Sequence, residues 1–115
     1  MLGEQLAANF LISQDYTILN HNYHCRFGEI DLITIDQTAK KLVFVEVKTR
    51  ISKNFGIPAE ALTQQKQNKI IKTIFHFFES SHCKNYSGWR IDLIGLELDK
   101  QFKVKNITHL KNILN

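Results

Sequence analysis

The sequence has few of the residues that cross-link small proteins or interrupt their secondary structure. Its 115 residues include two cysteines, one proline and five glycines. The cysteines, Cys25 and Cys83, lie far apart in the chain, which excludes a disulfide-rich scaffold and favours a reducing compartment where both remain thiols. The scarcity of proline and glycine leaves no low-complexity tract that would divide the chain. A chain of this length buries roughly two-thirds of its unfolded surface, so we expect one domain over residues 1–115.

Long apolar runs are also absent. No run approaches the ~20 residues that a helix needs to cross a bilayer. Glu4 interrupts the N-terminus at the place where a signal peptide needs its apolar region. We therefore expect a cytoplasmic protein with no membrane segment.

Positive charge is scarce at the start of the chain and concentrated further along it. The net charge is +4, but residues 1–36 carry five acids against the single base Arg26, whereas residues 40–72 carry eight bases against two acids. Lys and Arg contacts to phosphates supply the sequence-independent part of nucleic-acid affinity, so this distribution suits a protein that binds nucleic acid. A solvated, lysine-rich surface would have the same composition, and charge alone favours neither interpretation.

The most informative pattern is a pair of segments, residues 28–35 and 42–50, that flank a polar loop at residues 36–41. Both segments are rich in β-branched and aromatic residues at alternating positions. The loop contains Asp, Gln, Thr and two Lys, as a turn would. Together they predict a β-hairpin.

Alternation along the two strands decides which side chains share a face. If Ile35 pairs with Leu42 across the loop, counting back four residues on each strand places Asp31 opposite Glu46. Lys48 then lies on the same face as Glu46, about 7 Å further along the strand. The apolar side chains divide into two matching sets. These are Val43, Val45 and Val47 with Ile30, Leu32 and Thr34 on one face, and Leu42 and Phe44 with Ile33 and Ile35 on the other.

Two carboxylates that face each other across a ladder, with Cβ atoms about 5 Å apart, repel and destabilise a hairpin unless a positive charge lies between them. A hard cation such as Mg²⁺ binds one or two carboxylates and keeps several waters, and Asp31 with Glu46 offers that pair. The metal would polarise a phosphate and lower the pKa of its water, while Lys48 would orient that water and neutralise the developing charge. The three residues predict phosphodiester hydrolysis with Mg²⁺ or Mn²⁺ as cofactor.

This arrangement consists of an aspartate, a short loop and a Glu-x-Lys motif on the adjoining strand. It is similar to that of the PD-(D/E)xK nuclease superfamily, which has the restriction-endonuclease-like fold. Three blocks in order also resemble the YraN-like uncharacterised family of small bacterial proteins, over nearly the whole chain. That family is related to archaeal Holliday-junction resolvases and is expected to contain endonucleases. The blocks are Gly28-Glu29-Ile30-Asp31-Leu32-Ile33, Phe44-Val45-Glu46-Val47-Lys48-Thr49-Arg50 and Phe55-Gly56-Ile57-Pro58.

The resemblance implies further site residues. In related nucleases a glutamate on the first helix often adds a carboxylate to the metal site, and Glu4 matches that position. An ordinary acid in a first helical turn, favoured by the helix dipole, is an equal alternative. Lys66 resembles the lysine that the family places after the Glu-x-Lys strand, near the scissile phosphate. Resolvases of this kind act as dimers, so the resemblance also suggests a homodimer.

Other cations are assigned to a nucleic-acid surface by their position. Arg50 and Lys53 immediately follow the Glu-x-Lys motif, although a plain connecting loop would have the same composition. Arg26 is assigned to the same surface. Lys69 and Lys72 are assigned to solvent, because nothing in the family pattern singles them out.

Periodicity predicts the remaining elements. They are helices over residues 2–14 and 63–79, the second capped by Thr63, and strands over residues 16–26, 90–98 and 103–109. The order α-β-β-β-α-β, with one extra C-terminal strand, favours an α/β sandwich in which helices flank a mixed central β-sheet, as in restriction-endonuclease-like proteins. Asp92 is predicted to pair with a base on the sheet rather than to bind metal.

The leading hypothesis is a metal-dependent endonuclease that acts on DNA, including branched or recombination intermediates, where the choice of substrate rests on fold analogy. The first alternative is a nucleic-acid-binding protein of the same fold without efficient catalysis, although binding alone would not require opposed acids. The second alternative is an interaction module for a protein partner. It predicts no metal affinity and weak, salt-insensitive contact with DNA.

Overall fold

The computed structural model describes residues 2–51, 63–80 and 86–114. The elements follow one another as helix, three strands, helix and two strands. Their bounds are α1 Leu2–Ser13, β1 Tyr16–Cys25, β2 Gly28–Asp36, β3 Lys41–Arg50, α2 Gln64–Ser80, β4 Trp89–Leu98 and β5 Val104–Leu110. The predicted α/β fold with a mixed sheet is confirmed, and the extra C-terminal strand is present. This architecture is consistent with a nuclease-like sandwich.

The strands form one sheet in the order β1-β2-β3-β4-β5. Neighbouring strands are antiparallel except β3 and β4, which are parallel. Parallel strands need a crossover connection rather than a tight turn, and α2 lies on the connection between β3 and β4. The crossover therefore places the start of α2 after the end of β3, where the Glu-x-Lys motif lies.

The two helices cover opposite faces of the sheet, because alternate residues of a strand point to opposite sides. On β3, Val43 and Val45 pack in the cluster that includes α1, whereas Leu42 and Phe44 pack in the cluster that includes α2. The buried helix residues are Ala7, Ala8 and Leu11 on the α1 side and Ile70, Ile74 and Phe77 on the α2 side. Glu46 and Lys48 continue the α2-facing row of β3.

The predicted hairpin register is confirmed, since Ile35 pairs with Leu42. The paired ladder of β2 and β3 ends at Leu32 and Val45. The next position on β2 is Asp31, whose carboxylate bonds to the backbone of β3 instead of standing beside it.

The alternation of β2 changes at the same place. Ile30 packs on the α2 side with Ile33, whereas simple alternation predicts it on the α1 side with Leu32. The reason is that β2 pairs with β3 only from Leu32 onwards. The residues of β2 before Leu32 are therefore not held to the pleat of β3. The sequence-based face assignment of Ile30 was wrong, and the departure marks the point where the two strands separate.

The start of α2 is capped as predicted, because the backbone N–H of Lys66 donates to Thr63 Oγ1 at 3.2 Å. The first turns of α2 are polar and exposed, and the later turns pack on the sheet. Trp89 and Tyr86 pack beside this second half, against the α2-side cluster.

Asp92 is fully buried and serves as the centre of a polar network on the α1 side of the sheet. It accepts hydrogen bonds from Arg90 Nε at 2.9 Å and from the backbone N–H of Asn112 at 3.0 Å, and it lies 2.8 Å from His109 Nε2. Arg90 also donates to Asp36 at 3.0 Å. The predicted structural pairing of Asp92 is confirmed.

None of the helices that the structure describes is both long and apolar enough to pass through a bilayer.

Candidate active site

A cavity of about 780 Å³ opens between the first turns of α2 and the far ends of β1, β2 and β3. Three predicted site residues, Asp31, Glu46 and Lys48, line it, and Lys66 reaches it from α2. The remaining lining residues are Asn22, His24, Cys25, Gly28, Glu29, Val47, Lys69, Ile70 and Leu93. The topology therefore brings together residues from five elements, at the end of the sheet where β2 and β3 separate.

Asp31 is fixed by a backbone contact. Its Oδ2 accepts a hydrogen bond from the N–H of Val47 at 2.7 Å. That distance is typical of a charge-assisted bond and replaces the ladder bond that would otherwise continue the strand pair. Asp31 thus holds the parted strands together.

Glu46 lies beside Asp31, and their carboxyl groups are within hydrogen-bonding reach. Burial, this hydrogen bond and the negative charge of Asp31 raise the pKa of Glu46 to about 9. Glu29 adds to the increase and Lys66 opposes it. At neutral pH and without a cation, Glu46 therefore keeps its proton, which relieves the repulsion that two facing carboxylates would exert.

Glu4 approaches the same acids from the other face of the sheet. Burial, followed by the charge of Asp31, raises the pKa of Glu4, and the two side chains are within hydrogen-bonding reach. The first turn of α1 lies very close to β3, since a Cβ on Gly3 would meet Thr49 Oγ1 at 2.1 Å. This glycine permits the approach that places Glu4 beside Asp31.

Three cations line the cavity together with the acids. Lys48 is half-buried on β3, and Lys66 and Lys69 are exposed on successive positions of one face of α2. Lys66 is close enough to Glu46 to lower its pKa. Lys69 was assigned to solvent on sequence grounds, and it lines the cavity together with Lys66.

The other predicted nucleic-acid contacts lie outside this cavity or outside the described residues. Arg26 is exposed in the β1–β2 turn, where its guanidinium lies 4.7 Å from the centre of the Phe27 ring. Arg50 is exposed at the end of β3. Lys53 lies outside the described residues.

Sequence reasoning missed several lining residues. Glu29 shares a side of β2 with Asp31 by simple alternation, so the pattern alone could have included it. Lys69 is three residues from Lys66 on a helix, which is also a visible signal. Asn22 and His24 come from β1, and only the pairing of β1 with β2 brings them to the cavity.

The donor set fits a hard divalent cation. Asp31 and Glu46 supply carboxylate oxygens, and Mg²⁺ is commonly held by one or two carboxylates with water and substrate oxygens as the other ligands. Over residues 2–51, 63–80 and 86–114, no group of three or more His, Cys, Asp and Glu side chains is arranged to hold a metal ion. A cation at the pair would therefore depend on ligands from solvent or substrate.

Known proteins match the chain over most of its length. Residues 3–96 match the model of the family described as Uncharacterised protein family UPF0102. A UPF0102 protein of Caldanaerobacter subterraneus subsp. tengcongensis is 41% identical over 112 residues, covering 96% of this chain and 89% of that protein. A UPF0102 protein of Mycobacterium sp. strain KMS is 38% identical, covering 97% and 82%. A UPF0102 protein of Caldicellulosiruptor bescii is 39% identical, covering 96% and 91%. The chain therefore belongs to the uncharacterised protein family UPF0102, and the resemblance to the YraN-like family is confirmed.

Proposed function

We propose that this protein is a metal-dependent endonuclease that hydrolyses phosphodiester bonds in DNA. One observation carries the proposal. Where β2 and β3 part, Asp31 and Glu46 are in contact, and Lys48 and Lys66 line the same cavity. A purely structural role does not account for two adjacent buried acids, because the fold can hold them without mutual repulsion only while Glu46 keeps a proton.

Asp31 and Glu46 would hold the cation. When bound, it would supply Lewis acidity to a phosphate and acidify a water molecule. Asp31 is already oriented by the N–H of Val47, so binding requires little rearrangement of its side chain. Glu46 would have to be ionised to hold a cation, because a carboxylate binds metal in its deprotonated form.

The lysines act on the substrate. Lys48 lies on the same row of β3 as Glu46, two residues further on, which places its ammonium group near a phosphate held at the acids. Its charge would stabilise the negative charge that develops on the phosphate oxygens. Lys66 and Lys69, on α2, would contact flanking phosphates as point charges, which provides affinity without sequence preference.

DNA is the proposed substrate, and a branched or recombination intermediate is the form that the family resemblance suggests. The decisive experiment is cleavage of labelled duplex, single-stranded, flap and four-way-junction DNA in Mg²⁺ or Mn²⁺. We expect cutting by the wild type and none by Glu46→Gln, which keeps the size of the side chain and removes its charge. Glu79→Gln, an exposed acid on α2 outside the cavity, is the matched control and should cut as the wild type does.

The alternative functions give different results in the same assay. If the protein binds DNA without catalysis, the wild type and Glu46→Gln would bind DNA with the same salt dependence. Neither of them would cut it. A protein-interaction module would bind DNA weakly and without dependence on salt. Cutting that survives equally in Glu46→Gln would point to a contaminating nuclease and would reject the proposed site.

A further inference from the structure

A second, smaller groove adjoins the candidate active site. Its volume is about 270 Å³, and its wall is largely apolar. The groove shares Val47 with the larger cavity, and it contains Glu4, whose carboxyl group is within hydrogen-bonding reach of Asp31. Its residues are Leu2, Gly3, Glu4, Val47, Thr49, Ile51, Leu98 and Phe102. It therefore continues the candidate site across the α1 side of the sheet.

Three large apolar side chains of this groove are strongly exposed. Phe102 is 57% exposed, Leu2 50% and Ile51 46%. Single exposed apolar residues need no explanation, but three along one groove form an apolar surface of which about half is left exposed.

Phe102 is held in an uncommon backbone conformation. Its φ is 64°, in the left-handed region that bulky side chains rarely adopt. The β4–β5 turn imposes this conformation through Asp99. Asp99 Oδ1 accepts from the N–H groups of Gln101 and Lys103, both at 2.9 Å, and the N–H of Phe102 donates to the carbonyl of Asp99 at 2.9 Å. A bulky residue that its turn holds in the left-handed region, with its ring exposed, is a candidate for a functional contact.

The charge near Phe102 in the chain indicates what the ring contacts. Lys100, Lys103 and Lys105 are exposed and lie within three residues of Phe102, in the turn and at the start of β5. An aromatic ring among cations is the arrangement with which proteins bind unpaired nucleotides, because the base stacks on the ring and the backbone phosphates meet the cations. The groove is smaller than the ~300 Å³ at which pockets for drug-sized ligands begin, so it suits one planar group rather than a folded protein segment.

We propose that Phe102 is a stacking platform for an unpaired base of the nucleic acid whose phosphate lies at Asp31 and Glu46. The inference rests on the proposed function and deepens it. It specifies a substrate that is single-stranded on one side of the scissile bond, such as a single strand, a flap or the arm of an opened junction, rather than a continuous duplex. The base would lie between Phe102 and the side chains of Leu2 and Ile51.

The test measures binding separately from cleavage. Full-length protein is titrated in chelator with a labelled oligothymidylate, a blunt duplex and a duplex with a single-stranded arm. We expect Phe102→Ala to weaken binding of the two probes with unpaired nucleotides about tenfold, as the loss of one base–aromatic stack does, and to leave the blunt duplex unchanged. Phe75→Ala is the matched control, since Phe75 is 54% exposed on α2, outside the groove, and it should bind as the wild type does.

Two further variants separate stacking from a structural effect. Phe102→Gly removes the ring and relieves the left-handed backbone, so the melting temperature should not fall while binding weakens as in Phe102→Ala. Phe102→Trp should restore binding. A 2-aminopurine base in the single strand should be quenched by the wild type and by Phe102→Trp, and not by Phe102→Gly.

The outcomes distinguish this inference from the proposed function. If Phe102→Ala binds every probe as the wild type does while Lys66→Ala weakens all of them, the stacking platform is wrong and the nucleic-acid site stands. If the wild type binds no probe, the proposed function fails and the inference fails with it. If Phe102→Ala loses binding of unpaired probes but the wild type cuts nothing, the platform is supported and the endonuclease activity is rejected. The inference would be overturned if all variants bound the nucleic-acid probes equally and a protein bound to the wild type but not to Phe102→Ala. That result would assign the groove to a protein partner.

Discussion

At the scale of single residues, the site is defined by the different environments of its two acids. The Asp31 carboxylate accepts the N–H of Val47, whereas Glu46 is buried beside Asp31 and is in the Coulomb field of Glu29. Burial and a neighbouring negative charge both disfavour the ionised form, so the two effects act on Glu46 in the same direction. The pair therefore holds a proton in the metal-free protein.

A first prediction separates the charge of Asp31 from its hydrogen bond. Without metal and above pH 9, where Glu46 has lost its proton, Asp31→Asn keeps an acceptor for the N–H of Val47 and removes one of two facing charges, so it should stabilise the fold by about 1 kcal/mol. Asp31→Ala leaves that N–H without its partner and should destabilise by about 1 kcal/mol. Urea unfolding in chelator measures both. If both variants lose stability equally, the ionised carboxylate itself is what the fold requires.

A second prediction concerns the pH dependence of the metal-free protein. The folded-state pKa of Glu46 is about 9, against 4.5 for the unfolded chain, so the folded state binds this proton more tightly. Its contribution to stability is complete below pH 4.5 and is lost progressively as the pH rises towards 9. The melting temperature of the wild type in chelator should fall across that window. The melting temperature of Glu46→Gln should fall less. A wild-type melting temperature that is flat over the same window would contradict the raised pKa.

The opposite sign holds for two other acids. Burial tends to raise the pKa of Asp36 and Asp92, but hydrogen bonds outweigh it and hold both below the ordinary value of 3.8. Asp36 accepts from Ala39 N–H and Arg90, and Asp92 from His109 and Arg90. Their contributions are lost as the pH falls through the acid range. The metal-free protein should therefore be most stable on the acid side of neutrality, between these two effects.

At the scale of elements, the cavity depends on how α2 meets the β1–β2 turn. Gly28 opens β2 with φ of 155°, and a Cβ at this position would meet Thr73 Oγ1 at 3.1 Å and Lys69 Cβ at 3.7 Å. Phe27 packs its ring against His76, so the turn and the helix are in contact at several points. The contact keeps the face of α2 that carries Lys66 and Lys69 beside Asp31.

A third prediction tests this contact with two glycines. Gly28→Ala should destabilise by about 2 kcal/mol, because it combines an unfavourable backbone conformation with a close approach to α2. Gly88 is the matched control, since its φ is 141° and no atom lies within 4 Å of its Cβ position. Gly88→Ala should therefore destabilise the fold only through its unfavourable backbone conformation, by about 1 kcal/mol. Equal losses in thermal unfolding would show that the approach of α2 to the turn is not close in solution.

The elements themselves were largely predictable, because they depend on local patterns. The hairpin register followed from alternation and loop length, and the start of α2 from a capping threonine and a change of periodicity. The face of Ile30 was not predictable, since it depends on where two strands part. The place of Lys69 was not predicted either, although its spacing of three residues from Lys66 puts both lysines on one face of α2.

At the scale of the whole molecule, the network of Asp92 joins segments that are distant in sequence. Arg90 bridges Asp36 and Asp92, and its Nη2 also donates to the hydroxyl of Tyr16 at 2.8 Å. Burial raises the pKa of Tyr16 to about 12. The network lies under α1, where His109 packs edge to face with Phe10.

A fourth prediction assigns this network to stability rather than to metal binding. Asp92→Ala leaves Arg90 and His109 buried without their acceptor, so it should destabilise by about 3 kcal/mol. Mg²⁺ should still raise the melting temperature of the variant, because Asp31 and Glu46 are unchanged. Differential scanning fluorimetry with and without Mg²⁺ measures both effects. Loss of the Mg²⁺ effect in a variant that remains folded would place Asp92 in the metal site.

The sequence by itself determined the two faces of β3, the register that brings Asp31 level with Glu46, and the order of elements, because these follow from periodicities of two and about 3.6 residues that a linear pattern displays. Only the tertiary structure decided where β2 and β3 part, which lysines of α2 meet the acids, and that Glu4, Val47 and Phe102 share a groove. Those features depend on packing between elements far apart in the chain, and such contacts leave no period in the sequence.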